Sequence, residues 1–277
     1  MPSVYGPGIL VRSMSVAAPF GKESGTAWQY HPRSDRHSKV ACWGILFDLL
    51  QHCPLLVRQV GDGSVAFGIN HEMKDFRLDR KKNLDLVLCT PRAGSLAPGP
   101  VRSFRSLVAK YGIVLSPEER QILEGLPDIP AAPVGAVHVA LEAKACMTEH
   151  IKARPRLYDE LNSSHATVHG NTDKAIAVGF IMVNMAATFR SPTRQGPSKH
   201  RQPAVTEQVI AKVKQLPRRS GPKEDGFDAV AIVVVKCQND ETPVTLVTEP
   251  PAPQPGDIYH YDAMVQRLAD LYPWRQQ

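Results

Sequence analysis

The sequence predicts an α/β fold, a mixed β-sheet flanked by helices, on three observations. Two long apolar runs, 134–144 and 175–183, read as buried strands; the first admits charge only at its end and the second carries none. Between them, residues 148–169 place Ile151, Leu157, Tyr158, Leu161 and Val168 at helical spacing, and strand–helix–strand implies a right-handed parallel crossover. A separate β-prone run, 84–89, comes earlier in the chain with Asp85 as its single charge.

At 277 residues the chain is long enough to bury a sizeable core. The pattern predicts one domain with additions: an N-terminal arm over 1–35, a core over 36–186, and a basic segment with a strand–helix extension over 187–277 packed on that core. The hydrophobic share of 43% and charged share of 22% are ordinary for a globular protein and exclude a disordered or fibrous chain. Lys and Arg number 33 against 27 Asp and Glu, and the net charge of +6 suits a polyanionic partner. The five cysteines (Cys42, Cys53, Cys89, Cys146, Cys237) are scattered and form no Cys-x-x-Cys pair. They indicate neither a disulfide framework nor a zinc ribbon, and a reducing interior is expected. No apolar run approaches the roughly 20 residues of a membrane span. No basic stretch leads into an uninterrupted apolar segment near Met1. A cytoplasmic protein without a membrane partner is therefore expected.

In chain order, residues 1–35 mix Gly, Pro and Ser with isolated apolar residues and read as an irregular arm. Val40, Trp43, Leu46, Phe47 and Leu50 give helical spacing over 36–52, with Ser34 or Asp35 as a cap. The β-prone runs 55–60 and 64–69, separated by Gly61-Asp62-Gly63, read as a hairpin. A charged segment, 71–82, leads to the strand 84–89; a loop covers 91–100, and helical stretches are expected over 103–110 and 117–124. In the helix 148–169, Pro155 implies a kink or a late start, and Gly170-Asn171 makes a turn. Residues 190–223 carry nine Lys or Arg against the single acid Glu207, broken by Pro and Gly, and are expected to form little core. A buried strand over 227–236, a proline-rich linker over 243–255 and a terminal helix over 261–272 complete the chain.

The chemistry concentrates at the end of the run 134–144. Strand side chains alternate faces, so Glu142 and Lys144 emerge on one face and Ala143 on the other. Acid-x-Lys triplets also occur at Glu72-Met73-Lys74 and Asp79-Arg80-Lys81, but those lie in the polar segment; only Glu142-Ala143-Lys144 closes a buried strand and follows a separate strand with a lone acid. The order helix, hairpin, strand with Asp85, strand ending Glu142-x-Lys144, helix, strand resembles the PD-(D/E)xK nuclease superfamily, the restriction-endonuclease-like fold, over roughly residues 36–186.

The resemblance implies that Asp85 and Glu142 bind Mg²⁺, that Lys144 orients or helps deprotonate the hydrolytic water, and that double-stranded DNA is cleaved. Leu84 stands where a proline often precedes the acid, and the helix 36–52 offers no Glu to the metal; Asp48 and Glu72 are the acids that would substitute. Independently of any family, hard oxygen ligands suit Mg²⁺, which accepts one or two carboxylates plus substrate phosphates. Lys144, beside a cation and partly desolvated, is expected to have a lowered pKa.

The competing reading makes Glu142 and Lys144 a salt-bridged pair at a strand end and Asp85 a turn or cap residue. His165 and His169, one helical turn apart, would ligate a metal with His150 or Cys146, or serve a structural or phosphate-facing role. Glu149 and His150 fit either a place near the site or a solvated helix start, and Asp228 reads as a strand-end acid. In the basic segment, Arg190, Arg194, Lys199, His200 and Arg201 follow a buried strand directly and would flank a DNA cleft. The expected function is a Mg²⁺-dependent DNA endonuclease, type II restriction-like or phage-defence, acting as a homodimer. The alternatives are a repair or structure-specific nuclease and a non-catalytic DNA-binding subunit of the same fold.

Overall fold

Alternation along the longest strand assigns the two faces of the sheet. In β5 (Val134–Cys146), Val139, Leu141 and Ala143 pack into one apolar cluster while Ala140 and Cys146 pack into another. The computed structural model describes residues 3–20, 27–94, 102–221 and 223–276. Residues 95–100 of the expected loop lie outside them.

Before β5 come α1 (Gly6–Ser15), β1 (Ala18–Pro19), β2 (Ala27–Trp28), α2 (Arg36–His52), α3 (Pro54–Gly61), β3 (Ala66–Asp75), β4 (Arg80–Pro91), α4 (Ser106–Tyr111) and α5 (Pro117–Gly125). After it follow α6 (His150–Asn171), β6 (Ile176–Asn184), β7 (Thr188–Arg190), β8 (Pro197–Lys199), α7 (Ala204–Val213), β9 (Ala229–Lys236), β10 (Thr245–Val247) and α8 (Tyr261–Arg275). The central sheet is six-stranded and mixed, in the order β10-β9-β6-β5-β4-β3. β5, β6 and β9 run parallel, and antiparallel pairs complete both sides. Helices α2 and α8 cover one face; α6 and α7 cover the other. The α/β architecture is thus the one the alternating strand and helix patterns predict.

Four segments differ from expectation. Residues 3–15 include a helix, not an irregular arm: Ile9, Leu10 and Met14 of α1 are buried against α2. The crossing is close, since a Cβ on Gly44 would come within 2.9 Å of the Gly6 Cα. Residues 55–60 form helix α3 in place of a strand, because Pro54 opens a turn and Leu56 and Val60, one turn apart, are its buried pair. The hairpin is instead β3–β4, and it takes up the charged segment. At this sheet edge Lys81 pairs with Glu72 at 2.8 Å, Arg80 with Asp75 at 2.9 Å and Lys74 with Asp79 at 2.6 Å. The basic segment also contributes core: Val209, Ile210, Val213 and Leu216 are buried.

Helix α6 runs through Pro155, which stands on its exposed side, so the helix neither starts late nor stops there. Its Gly170 lets the β3–β4 turn approach, as a Cβ there would come within 2.0 Å of Asp75 Oδ1. All five cysteines are buried free thiols. Among the described residues no single helix is long and apolar enough to cross a membrane.

Candidate active site

The ladder between β4 and β5 ends at the pair Leu86–Leu141. Past that pair β4 continues against β3 alone and β5 against β6 alone. The two strands fork, and Asp85 and Glu142 are the first residues beyond the fork on either side. Asp85 reaches into the gap, where its Oδ2 accepts the Ala143 N–H at 2.9 Å.

The other Asp85 oxygen is held from α2. Ser38 Oγ donates to Oδ1 at 2.8 Å and Lys39 Nζ donates to it at 2.7 Å. Lys39, only 2% exposed, also donates to Asn70 Oδ1 at 2.5 Å and to the Asp85 carbonyl at 3.2 Å. Asn70 adopts φ 52° directly across β4, a left-handed kink that asparagine tolerates. Burial alone would push the Asp85 carboxyl up, but the Lys39 ammonium and the bonds from Lys39, Ala143 and Ser38 hold it below the usual carboxylate range.

Glu142 and Lys144 share the α6 side of the sheet, as the period-two argument predicts. Lys144 Nζ lies 2.8 Å from Glu142 Oε1 and 3.7 Å from Glu160 Oε2 of α6. Glu142 is 3% exposed, and its Oε2 is buried without a hydrogen-bond partner. Burial pushes its carboxyl up; the Lys144 ammonium opposes this and the Asp85 charge adds to it, leaving the pKa raised. With no cation at the fork, burial pulls the Lys144 pKa down, but the Glu142 and Asp85 carboxylates outweigh burial and raise it; the expected lowering belongs to Lys144 beside a bound cation. Lys144 is an ammonium at neutral pH.

Both carboxylates keep acceptor capacity at the fork. Glu142 Oε2 lacks any donor, and Asp85 Oδ2 accepts only the Ala143 N–H, so each acid keeps an oxygen with acceptor capacity. Among the described residues no group of three or more His, Cys, Asp or Glu is arranged to hold a metal ion. An ion held here would rely on these two carboxylates plus water and substrate oxygens, the ordinary way of binding Mg²⁺. Neither acid considered as a substitute ligand joins the fork. Asp48 accepts the N–H groups of Tyr5 and Gly6 and the Tyr261 hydroxyl, each at 2.8 Å, which caps α1. Glu72 is paired with Lys81 at the sheet edge.

Sequence reasoning missed Ser38, Lys39 and Glu160. Lys39 had a readable signal: it falls four residues before Trp43 and seven before Leu46, on the apolar face of its helix, where a charge needs a partner. The histidines of α6 serve packing. His165 contacts Asn162 Oδ1 at 2.9 Å, and His169 Nε2 donates to the Gly226 carbonyl at 2.9 Å. Asp228 is a buried anchor that accepts Arg219 Nε at 2.8 Å, Arg275 at 3.3 Å and the Ala177 N–H at 2.8 Å.

Of the basic residues, Arg190 and Lys199 lie exposed on the β7–β8 hairpin, and Arg201 is exposed just after it. Arg194 pairs with Glu149 at 2.6 Å. His200 has both ring nitrogens engaged, with the Ala186 carbonyl at 2.9 Å and Thr148 Oγ1 at 3.1 Å. The hairpin follows β6 at the carboxyl edge of the parallel strands, the edge toward which Glu142 and Lys144 lie. No known family model, curated protein or solved structure matches the chain.

Proposed function

We propose that the chain is a Mg²⁺-dependent DNA endonuclease of PD-(D/E)xK type, restriction-endonuclease-like in its core. The observation that carries this reading is Glu142: a buried carboxylate with an unpartnered oxygen, paired to Lys144 and adjoining Asp85 where two strands part. Asp85 and Glu142 would hold the ion, which supplies the Lewis acidity that activates water and neutralises phosphate charge. Asp85 is kept ionised by Lys39 and Ser38, so it is available to a cation at neutral pH. Lys144, 2.8 Å from Glu142 Oε1, would orient or help deprotonate the attacking water. The exposed Arg190, Lys199 and Arg201, with Arg194 and His200 beside them, would engage the DNA backbone.

Supercoiled plasmid incubated with the protein in Mg²⁺ and in EDTA tests the reading. Cleavage in Mg²⁺ alone is expected. Glu142→Gln and Lys144→Ala should each lower the rate by at least about a hundredfold while DNA binding persists. Discrete fragments indicate a restriction-type enzyme, here as a homodimer that sedimentation would detect; cuts limited to junctions or ends indicate a structure-specific one. Full activity in both variants contradicts the assignment.

One observation favours a second reading, a DNA-binding subunit without catalysis. The Lys39 ammonium lies among three oxygens, Asp85 Oδ1, the Asp85 carbonyl and Asn70 Oδ1, much as a bound cation would. That reading predicts DNA binding with no cleavage in Mg²⁺ or Mn²⁺.

A further inference from the structure

An open cleft of about 410 Å³ lies between the β1–β2 strap, the start of α2 and the end of α4. Its volume falls in the range of small-ligand sites, roughly 300–1,000 Å³. The walls are aromatic, with Trp28, Tyr30, His31 and Tyr111 among its lining. The described lining contains no Asp or Glu. Cations stand at two rims: the exposed Arg190 lies over the Trp28 ring at 5.6 Å, and the exposed Lys110 over Tyr111 at 4.9 Å. Arg36 also lines the cleft, but its guanidinium donates to the carbonyls of Ser13, Val16, Tyr111 and Gly112 and so serves the fold.

The cleft borders the fork. His37 lines it, packs against Tyr30 at 4.9 Å and immediately precedes Ser38, the donor to Asp85. Aromatic walls, cations at the rim and a candidate hydrolytic site alongside match one ligand chemistry, a base with its flanking phosphates. A base within a duplex is stacked on both faces and cannot enter; an unpaired or extruded one can, and stacks without regard to its hydrogen-bonding edge.

We propose that this cleft takes one unstacked base of the DNA strand, seated against Trp28, with Arg190 and Lys110 on the neighbouring phosphates. The proposal rests on the DNA-nuclease reading above and adds a substrate class, DNA with an unpaired or extrudable nucleotide.

The test is equilibrium binding of the full chain in EDTA, where no cleavage occurs, to labelled duplexes of one sequence either fully paired or carrying a single unpaired base. The wild type is expected to bind the second about tenfold tighter, the scale of one base–aromatic stack. Trp28→Ala should abolish that preference while keeping the affinity for paired duplex, and Trp28→Phe should retain most of it. Equal binding of both duplexes by wild type, an undiminished preference in Trp28→Ala, or equally tight binding of a free mononucleotide overturns the proposal. Should Trp28→Ala fail to fold, tryptophan emission in a Trp274→Phe background reports on Trp28, because Trp43 is 0% exposed. Quenching greater with the unpaired duplex supports the proposal, and equal quenching overturns it. Equal binding of both duplexes by the wild type with Mg²⁺ cleavage intact sinks the base site alone; absence of all DNA binding by the wild type sinks the nuclease reading with it.

Discussion

Lys39 is a charge on the buried face of a helix, tolerated because three oxygens surround its ammonium. Removing one member of such a pair strands the other in a poorly solvated place. Lys39→Ala is therefore expected to cost about 3 kcal/mol in urea denaturation, and an unchanged midpoint would show that Asp85 is solvated without it. The pairing of Glu142 with Lys144 was legible because strand alternation puts residues two apart on one face. The partners of Asp85 were not legible, since Lys39 lies 46 positions away and local periodicity does not encode a contact at that separation. The orphaned Glu142 Oε2 is likewise a product of packing, visible only once β4 and β5 part.

Helix α6 carries the clearest pH dependence. Leu157, Leu161, His165 and Val168 follow one another at spacings of three or four, so the histidines lie on the same buried face as the aliphatic residues. Burial lowers His165 and His169 from 6.5 to about 4, and both are neutral when folded. Between these values the unfolded chain binds more protons than the folded one, so stability falls as pH drops from about 6.5 toward about 4. Asp48 acts in the opposite sense: burial raises it from 3.8 to about 6, so acidification through that window favours the fold. With His37 of α2 also lowered by burial to about 4, three histidines outweigh one acid, and the urea midpoint should fall between pH 7 and about pH 5. A His165→Gln, His169→Gln double variant should flatten the slope, whereas an unaltered slope would place the titration elsewhere. At this scale α2, α5, β5, β6 and β9 were legible because each carries a strong period or a long apolar run. Helix α3 was misread since Leu56 and Val60 suit either period in so short a stretch. The β3–β4 hairpin was displaced because its edge strand pairs charges across the ladder where a buried strand would alternate apolar residues.

The molecule is closed by contacts between segments distant in sequence. Asp228, 2% exposed, ties the start of β9 to Arg219 in the preceding loop and to Arg275 at the end of α8. Asp228→Ala removes the buried carboxylate that Arg219 Nε donates to and should cost about 3–5 kcal/mol, read as a fall in thermal midpoint; a loss under about 1 kcal/mol would mean that water enters the site. At the other end of α8, Gly6→Ala should also destabilise, because its Cβ would come within 2.0 Å of the Tyr261 hydroxyl. Within this frame the β4–β5 fork is read as a cation site. Crystals grown with Mn²⁺ and measured at its absorption edge test this most directly. The account predicts one anomalous peak about 2.0–2.3 Å from an oxygen of Asp85 and an oxygen of Glu142, absent in Glu142→Gln. A peak elsewhere, or an empty fork with Lys144 still paired to Glu142 at saturating Mn²⁺, would contradict it.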